Sequence, residues 1–453
     1  MRCVVGIDLG STTTKAVLLD ERGDVLGRGV TNSRSNYETA CAIARDEALT
    51  SARFAMLEQA IGDTHAEARA FLPALRDAFK LELFMLELDD LRATILRDVQ
   101  RNLLYRASRS TLEPAVVQVL DGVERAGASM FLGDAPRKSD FFRDVAGAAF
   151  MAEAEALARS GDVPFEPIAR LFDRAILEVE TRCKPRDVPR LLASALDRVT
   201  SRTDASDLTR TALSRAVDTS TRETIEELAA VGTGYGRQTL PFPAEAVRSE
   251  ILCHGRGAHR VFAGTRTVLD IGGQDTKAIQ VDEHGVVTSF QMNDRCAAGC
   301  GRYLGYIADE LNLGLHELGP LALQARKVVR VCSTCTVFAG AELRERLALG
   351  QRREDILAGL HRAIMLRAMS LLARSGGVHD ELTFTGGVCN NAMAVKVLRE
   401  LVAQSYGAEI TINVHPDSIF MGALGAALYA LDDVRSGRGC ALPSFNRGVE
   451  ATA

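Results

Sequence analysis

The stretch DIGGQDTKAIQVDEHG, residues 270–285, repeats the pattern of DLGSTTTKAVLLDERG, residues 8–23. The two align without a gap, and Asp, Gly, Thr, Lys, Ala, Asp, Glu and Gly coincide. Each copy predicts a strand that ends at an aspartate, a polar loop, a second strand and a turn at its final glycine. One such hairpin would be an ordinary turn. Two copies with the same internal spacing indicate two related domains.

The polar loops of the repeat are suited to binding phosphate. Glycine lets backbone N–H groups approach a phosphate and point towards it. In the first copy, Ser11, Thr12 and Thr13 add hydroxyl donors, and Lys15 adds a positive charge. An aspartate at the strand end suits a hydrated Mg²⁺, which takes one or two carboxylates together with phosphate oxygens. Two facing hairpins of this kind would hold the phosphates of a nucleotide between them.

A third glycine-containing stretch, FTGGVCNN at residues 384–391, places a double glycine between a predicted strand and a predicted helix. Such a backbone can approach a flat base closely, and the N-terminus of the helix can bind polar atoms. The motif G-x-x-x-x-G-K-[ST] does not occur in the sequence. The chain is therefore not a P-loop enzyme.

The composition is that of a soluble globular protein. The chain has 453 residues, of which 47% are hydrophobic and 25% charged, and its formal net charge is −5. This charge gives no electrostatic reason to expect binding to nucleic acid or to a membrane. The N-terminus, MRCVVGIDLG, resembles a strand more than a secretory signal, and no segment has the roughly 18 apolar residues of a membrane span. We therefore expect a cytoplasmic protein.

The chain divides into segments of different character. From about residue 37 to residue 229 strand signals disappear, and apolar residues recur at helical spacing, which predicts a helical insertion. A glycine-rich loop is predicted at residues 231–237, after which strands and helices alternate, as in an open sheet covered by helices. The predicted units are domain I at 1–36 and 230–266, the insertion at 37–229, domain II at 267–431 and a C-terminal tail at 432–453.

Four of the ten cysteines are bunched. Cys296 and Cys300 precede one predicted helix, and Cys332 and Cys335 precede another. A helix N-terminus stabilises thiolates, which suits ligands of an iron–sulfur cluster. From the residues alone, a complete cluster or zinc site within one chain also remains open.

The stretches strand–DLGST–strand, DIGGQD and TGGV together resemble the superfamily of acetate kinase, sugar kinases, Hsp70 and actin. This resemblance implies an α/β fold whose duplicated domains close on ATP and Mg²⁺, here with a large α-helical insertion in the first domain. The cysteine segments, with VGTGYGR and SEILCHGRGA, are similar to those of the BadF/BadG/BcrA/BcrD family. Its members are ATPase components of benzoyl-CoA reductases and activators of 2-hydroxyacyl-CoA dehydratases.

The family resemblance implies ATP, Mg²⁺ and a [4Fe–4S] cluster as cofactors. In the family each of two subunits gives two cysteines to one shared cluster, and these correspond to Cys296 and Cys335. The family typically has threonine and serine where Cys300 and Cys332 stand, so these two are interpreted as small core residues or as thiols outside the ligand set. The cluster would lie between this chain and a partner.

The resemblance also implies roles for the residues of the nucleotide site. Asp8 and Asp270 would lie near Mg²⁺ and the attacking water, and Gln274 or Asp275 would position that water. Glu250 is interpreted as a carboxylate on a helix surface, with a base or a metal-shell residue as the alternative. His254 and His259 are interpreted as structural histidines. The residues expected to line the phosphates or border the adenosine are Gly10, Ser11, Thr12, Thr13, Thr14, Lys15, Gly272, Gly273, Gly386, Gly387 and Asn390.

The insertion and the chain length resemble the large ATPase subunit of benzoyl-CoA reductase. The implied function is to couple ATP hydrolysis to electron transfer from ferredoxin, through the shared cluster, to the reductive dearomatisation of benzoyl-CoA. The implied partners are a paralogous ATPase subunit, benzoyl-CoA-binding catalytic subunits and ferredoxin. Three alternatives stay open: an activator of a 2-hydroxyacyl-CoA dehydratase, a small-molecule kinase of the same fold, and a zinc-containing ATP sensor.

Overall fold

The computed structural model describes residues 1–438 except 34–35, 63–64, 134–138, 140, 162, 183–185, 235–239, 294–299 and 332–335. Its described part contains two sheets with the same core topology. The strands of the first sheet are β1 (Arg2–Leu9), β2 (Thr13–Asp20), β3 (Val25–Asn32) and β4 (Glu226–Gly234). The strands of the second sheet are β5 (Thr265–Ile271), β6 (Thr276–Val281), β7 (Val287–Asn293), β8 (Glu381–Thr385) and β9 (Thr411–Asn413).

The two sheets confirm the predicted duplication. Their orders are β3-β2-β1-β4 and β7-β6-β5-β8-β9, so four strands of the second sheet reproduce the first. In both, the two hairpins are antiparallel and the β1–β4 and β5–β8 pairs are parallel. The register is repeated too, because Asp8 faces Lys15 and Asp270 faces Lys277. The predicted duplicated fold of the actin type, α/β with a helical insertion, is therefore confirmed.

Eight helices lie between β3 and β4 in the described residues. Helix α3 joins two hydrophobic clusters, since Leu75 and Phe79 pack in one and Leu91, Ile95 and Val99 in the other. The apolar spacing predicted from the sequence thus forms buried helix faces. These helices are α1 (Tyr37–Ile61), α2 (Ala66–Ala70), α3 (Leu72–Arg101), α4 (Arg109–Leu132), α5 (Phe142–Arg159), α6 (Phe165–Glu180), α7 (Val188–Ser201) and α8 (Asp207–Arg222).

The remaining helices cover the sheets. One of them, α13, has the length and composition of a membrane span, but 67% of its apolar window is buried, which is typical of a core helix in a soluble protein. They are α9 (Glu250–Val261), α10 (Gly301–Glu310), α11 (Leu318–Ala322), α12 (Thr336–Ala348), α13 (Arg353–Ser375), α14 (Ala392–Tyr406) and α15 (Met421–Arg435).

Two features of the predicted division need correction. Residues 231–234 belong to strand β4 and not to a loop. Their glycines are required by close packing, since a Cβ on Gly232 would lie 2.6 Å from the Phe242 ring. In addition, α15 packs on the first sheet, where Ala427 approaches β1, although the second domain was predicted to continue to residue 431.

Helices α9 and α15 cross between the two sheets at glycines. A Cβ on Gly257 would lie 2.0 Å from the carbonyl oxygen of Met421, and one on Gly425 would lie 1.9 Å from that of Cys253. Real Cβ atoms do not approach backbone this closely. The two helices can therefore touch only because both positions lack a side chain.

We expect Gly425→Ala to lower the free energy of unfolding by about 3 kcal/mol, because the helices must separate to admit the methyl group. The matched control is Gly305→Ala in α10, where nothing lies within 4 Å of the added Cβ. This control should be neutral or stabilising by up to about 1 kcal/mol. Urea unfolding of both variants measures the difference. Equal midpoints for the two variants would contradict the packing argument.

Candidate active site

A cleft of about 1800 Å³ lies where the two hairpin tips face each other. It contains most of the residues predicted from the repeat and from the double glycine. The two hairpins come from equivalent strands of two similar sheets, and residues of both tips line this cleft. The predicted site residues that line it are Asp8, Gly10, Ser11, Thr12, Thr13, Lys15, Asp270, Gly272, Gly273, Asp275, Gly386, Gly387 and Asn390.

The two hairpin tips are in direct contact. A Cβ on Gly273 would lie 2.1 Å from Oγ1 of Thr12 and 3.5 Å from Oγ of Ser11. Only glycine therefore fits at the tip of the second hairpin when the hydroxyl-bearing tip of the first faces it. The hydroxyl donors of one hairpin and the glycine backbone of the other converge on the same part of the cleft.

Two predicted residues do not line the cleft. Thr14 is fully buried, and its Oγ1 lies 3.0 Å from Oγ of Ser33, because successive strand residues point to opposite faces. Gln274 occupies the second turn, which Gly272 closes by donating its N–H to the carbonyl oxygen of Asp275 at 3.0 Å. That tight turn presents Gly273 to the first hairpin and leaves Gln274 outside the lining.

Helix α10 is fastened directly to the second hairpin. The N–H of Gly301 donates to the carbonyl oxygen of Gly272 at 2.8 Å, and the N–H of Arg302 donates to that of Gly273 at 2.7 Å. The first N–H groups of a helix have no partner within the helix, so this contact satisfies two of them. The turn of the second hairpin and the start of α10 are therefore held together by two backbone hydrogen bonds.

A buried lysine lies at the centre of the cleft floor. Nζ of Lys277 is 2.8 Å from Asp275 Oδ2, 3.2 Å from Asp270 Oδ2 and 3.6 Å from Glu250 Oε1. Burial alone would lower the pKa of Lys277, but the three carboxylates, Asp270 foremost, raise it well above its usual range. The ammonium is thus permanently charged and neutralises part of the acidic cluster around it.

Asp270 accepts a hydrogen bond from Oγ1 of Thr385 at 2.8 Å and one from Nζ of Lys277 at 3.2 Å. Burial would raise the pKa of Asp270, but His254, Lys277 and Thr385 together hold it below its ordinary range. This carboxylate is therefore ionised at neutral pH. It provides a fixed negative charge at the end of β5.

The sequence analysis named Glu250 and His254 but placed them outside the nucleotide site. Both face the cleft from α9, and Glu250 is only 7% exposed, so it is not a surface carboxylate. Burial raises the pKa of Glu250, an effect that Lys277 only partly offsets. Their spacing, four residues apart on one helix beside a glycine-rich motif, was the available signal, because such residues share a helix face.

His254 lies between the aspartates of the two hairpins. Its Nδ1 is 3.4 Å from Asp270 Oδ1, and its Nε2 is 3.9 Å from Asp8 Oδ2. These are ion-pair distances, but Nδ1 makes no hydrogen bond with suitable geometry among the described residues. A Cβ on Gly422 of α15 would lie 2.8 Å from Nε2, so the imidazole occupies a closely fitted space. It is part of the cleft floor and not a remote structural histidine.

The duplicated lysines have diverged in their surroundings. Lys277 is 3% exposed and bound to three carboxylates. Lys15 is half-buried beside Gly10 and, among the described residues, makes no ion pair. Of the two, only Lys15 is therefore available to a ligand. The same local sequence supplies an enclosed, ion-paired cation in one hairpin and an accessible cation in the other.

The acidic cluster fits a hydrated Mg²⁺. Asp8, Asp270, Asp275 and Glu250 bring four carboxylates to the cleft floor, against one lysine. No group of three or more metal-ligating side chains is found in the described part of the chain. Mg²⁺ bound through water and phosphate oxygens needs only one or two carboxylates, so these residues suit it.

The double glycine also lines the cleft, beside the end of β5. Gly386 has a φ of +83°, and a Cβ there would lie 2.3 Å from the carbonyl oxygen of Ile271. Glycine is therefore required both by the backbone conformation and by the approach of β5. Burial raises the pKa of the neighbouring Cys389 thiol to about 11, so this cysteine is unreactive at neutral pH.

The predicted cluster ligands, Cys296 and Cys335, lie outside the described residues, as does Cys332. Cys300, which begins α10, is 1% exposed and belongs to the hydrophobic core of the second domain. This burial agrees with its interpretation as a small core residue. Phe338, three residues after Cys335, is 70% exposed.

Comparison with known proteins indicates the family to which this chain belongs. A model of the BadF/BadG/BcrA/BcrD ATPase family matches residues 5–430. The (R)-2-hydroxyglutaryl-CoA dehydratase activating ATPase of Acidaminococcus fermentans is 43% identical over 200 residues, which cover 44% of this chain and 74% of the relative. One of the benzoyl-CoA reductase subunits of Thauera aromatica is 35% identical over 176 residues, which cover 39% of this chain and 62% of the relative.

The crystal structure of component A of the A. fermentans (R)-2-hydroxyglutaryl-CoA dehydratase has the same fold. It matches with a TM-score of 0.53 at 22% identity and covers 96% of this chain and 100% of that chain. The family match spans both sheets, the two hairpins and the double glycine. The protein described here therefore belongs to the BadF/BadG/BcrA/BcrD ATPase family.

Proposed function

We propose that this ATPase is an electron activator, in which hydrolysis in the cleft drives electron transfer from a cysteine-bound cluster to a partner enzyme acting on a CoA thioester. The observation that carries the proposal is the attachment of α10 to the second hairpin. Gly272 and Gly273, which face the phosphates, accept hydrogen bonds from the start of the helix that follows Cys296 and Cys300. A change at the phosphates is thereby passed to the cysteine segment.

The nucleotide would be held by residues of this chain in the following way. Lys15 and the hydroxyls of Ser11, Thr12 and Thr13 would bind phosphate oxygens, and Gly386, Gly387 and Asn390 would border the adenosine. Asp8 and Asp270 would hold Mg²⁺, which supplies charge stabilisation during phosphoryl transfer. Asp275 and Glu250, with His254 between the aspartates, would orient the attacking water.

The proposed cluster ligands are assigned from the positions of their sequence motifs. Cys296 and Cys335 would each give a thiolate to a [4Fe–4S] cluster shared with a paralogous or identical ATPase subunit, and ferredoxin would supply the electron. A cytoplasmic location follows, because free thiolates and a low-potential cluster need a reducing compartment.

Iron analysis tests the proposed cluster and its cysteine ligands. After anaerobic purification we expect about four irons per dimer, and Cys296→Ala and Cys335→Ala should each lose most of that iron because a ligand is missing. Cys300→Ala is the control in the same segment and should keep the iron, since its thiol is in the core. Zinc in place of iron, or equal metal loss in Cys300→Ala, would support a four-thiolate site within one chain instead.

Two classes of partner enzyme are compatible with this activator. The relatives favour a 2-hydroxyacyl-CoA dehydratase, because activators of three such dehydratases are 39–43% identical to this chain. Benzoyl-CoA reductase, predicted from the insertion and the chain length, has the support of one relative at 35% identity. We therefore place the dehydratase first and the reductase second.

An anaerobic assay separates these partners from the small-molecule kinase. With ATP and a strong reductant, the protein should activate a 2-hydroxyacyl-CoA dehydratase and hydrolyse ATP. If it instead supports benzoyl-CoA-dependent ATP hydrolysis together with co-purifying subunits, the second candidate is correct. ATP consumption with phosphate transfer to an acceptor and no iron would leave only the kinase.

A further inference from the structure

The helical insertion forms the outer wall of the nucleotide cleft. It faces α10 and the loop after it, so the cleft continues beyond the hairpins and the double glycine. At about 1800 Å³ the cleft is larger than the roughly 300–1000 Å³ of a typical small-molecule site, and residues of the insertion line part of it. The insertion residues that line it are Phe141, Arg143, Asp144, Leu177, Glu180 and Thr181.

This wall is anchored next to the first hairpin. Ser33 donates from Oγ to the carbonyl oxygen of Gly10 at 2.5 Å, and its N–H donates to that of Thr12 at 2.8 Å. A few residues later, Oγ1 of Thr39 donates to the carbonyl oxygen of Thr181 at the end of α6. These contacts attach the wall to the first hairpin, on the side of the cleft where the phosphates would bind.

The wall presents one cation and one exposed apolar side chain to the cleft. Arg143 of α5 is 51% exposed and lies 3.2 Å from Glu180 at the end of α6. The neighbouring acid on α5, Asp144, accepts a hydrogen bond from Oγ of Ser139 at 2.7 Å. Leu177, on the last turn of α6, is 56% exposed. Arg143 is the exposed partner of this ion pair and Glu180 is only 14% exposed, so the guanidinium can keep Glu180 and still donate from its remaining N–H groups to an anionic ligand in the cleft.

We propose that the insertion is part of the nucleotide site: Arg143 binds the phosphates of the bound nucleotide from the outer wall, and Leu177 lies close to it. The proposal rests on nucleotide binding by the two hairpins and adds a contact from the helical insertion. It makes the insertion responsive to whether nucleotide is bound.

Calorimetric titration with ADP tests the role of Arg143. Arg143→Ala should weaken ADP binding about 10-fold, the loss of one charge-assisted hydrogen bond. The matched control is Arg159→Ala at the other end of α5, an exposed arginine that also pairs with a glutamate but lies outside the cleft. It should bind ADP within about twofold of the unaltered protein. Equal affinity of both variants would overturn the phosphate contact.

A single introduced tryptophan tests the position of the wall without removing a charge. The chain has no tryptophan, so Leu177→Trp places one indole at the outer wall, and Leu208→Trp places one on α8, where the leucine is 80% exposed. Saturating ADP should shift the emission of the first variant and leave that of the second unchanged. An unchanged emission in Leu177→Trp, in protein shown by calorimetry to bind ADP, would overturn the proposal.

The two failures are distinguishable. If the unaltered protein binds neither ADP nor ATP, the proposed function is wrong. If it binds ADP but neither Arg143→Ala nor Leu177→Trp differs from its control, the hairpins form the site and the insertion wall is not part of it.

Discussion

Replacing Lys277 with methionine should lower the free energy of unfolding at neutral pH by about 3–5 kcal/mol, the largest stability loss expected for a single side chain in this protein. The substitution keeps the length of the side chain and removes the cation that lies within 3.6 Å of Asp270, Asp275 and Glu250. Three carboxylates would then share a buried site without that compensating charge. Urea unfolding measures the loss.

The loss of unfolding free energy in Lys277→Met should depend on pH. In the unaltered protein the low pKa of Asp270 stabilises the fold above its ordinary value of 3.8, and that contribution disappears as the pH falls below it. The raised pKa of Lys277 stabilises the fold below its ordinary value of 10.5, and that contribution is lost as the pH rises above it. In Lys277→Met the destabilisation should therefore shrink as the pH falls towards 4 and the carboxylates protonate.

Lys15→Met is the matched control, because Lys15 is the equivalent residue of the first hairpin. It should leave the free energy of unfolding within about 0.5 kcal/mol of the unaltered protein, since the described residues offer it no ion pair. Its effect should fall on nucleotide affinity instead. If both lysine variants unfolded at the same urea concentration, the proposal that Lys277 stabilises the fold while Lys15 binds nucleotide would be wrong.

Asp8→Asn should reduce the rate of ATP hydrolysis by about 10³-fold, the largest effect on activity that we expect. Asp8 is 4% exposed at the end of β1, and the amide keeps its size while removing the charge that would hold Mg²⁺. The loss should appear in kcat, because the contact is needed when charge develops during phosphoryl transfer. Phosphate release at saturating ATP and Mg²⁺, together with ADP binding by calorimetry, gives the two quantities.

The control is Asp20→Asn at the far end of the same hairpin. Asp20 accepts hydrogen bonds from the N–H groups of Arg22, Gly23 and Asp24, so its replacement affects the turn and not the cleft. It should lower stability by about 1 kcal/mol and leave hydrolysis unchanged. Hydrolysis by Asp8→Asn at a rate close to that of Asp20→Asn would remove Asp8 from the catalytic set.

Much of the site was predictable because it lies in a local repeat. A strand that ends at an aspartate, a turn and a returning strand specify their own register, so Asp8 and Asp270 occupy equivalent places at the cleft. The same locality explains why two of the predicted residues do not line the cleft. Thr14 and Gln274 were included because they lie within the motif, but strand alternation turns the first away and the closed turn leaves the second outside the lining.

The sequence by itself determined the duplicated hairpins, the helical insertion and the family, since each depends on neighbouring residues or on a motif. Only the tertiary structure decided that Lys277 is enclosed while Lys15 is available, that Glu250 and His254 complete the cleft floor, and that the insertion forms its outer wall. The reason is that these properties depend on side chains far apart in the chain, which meet only when α9, α10 and the insertion pack around the two hairpins.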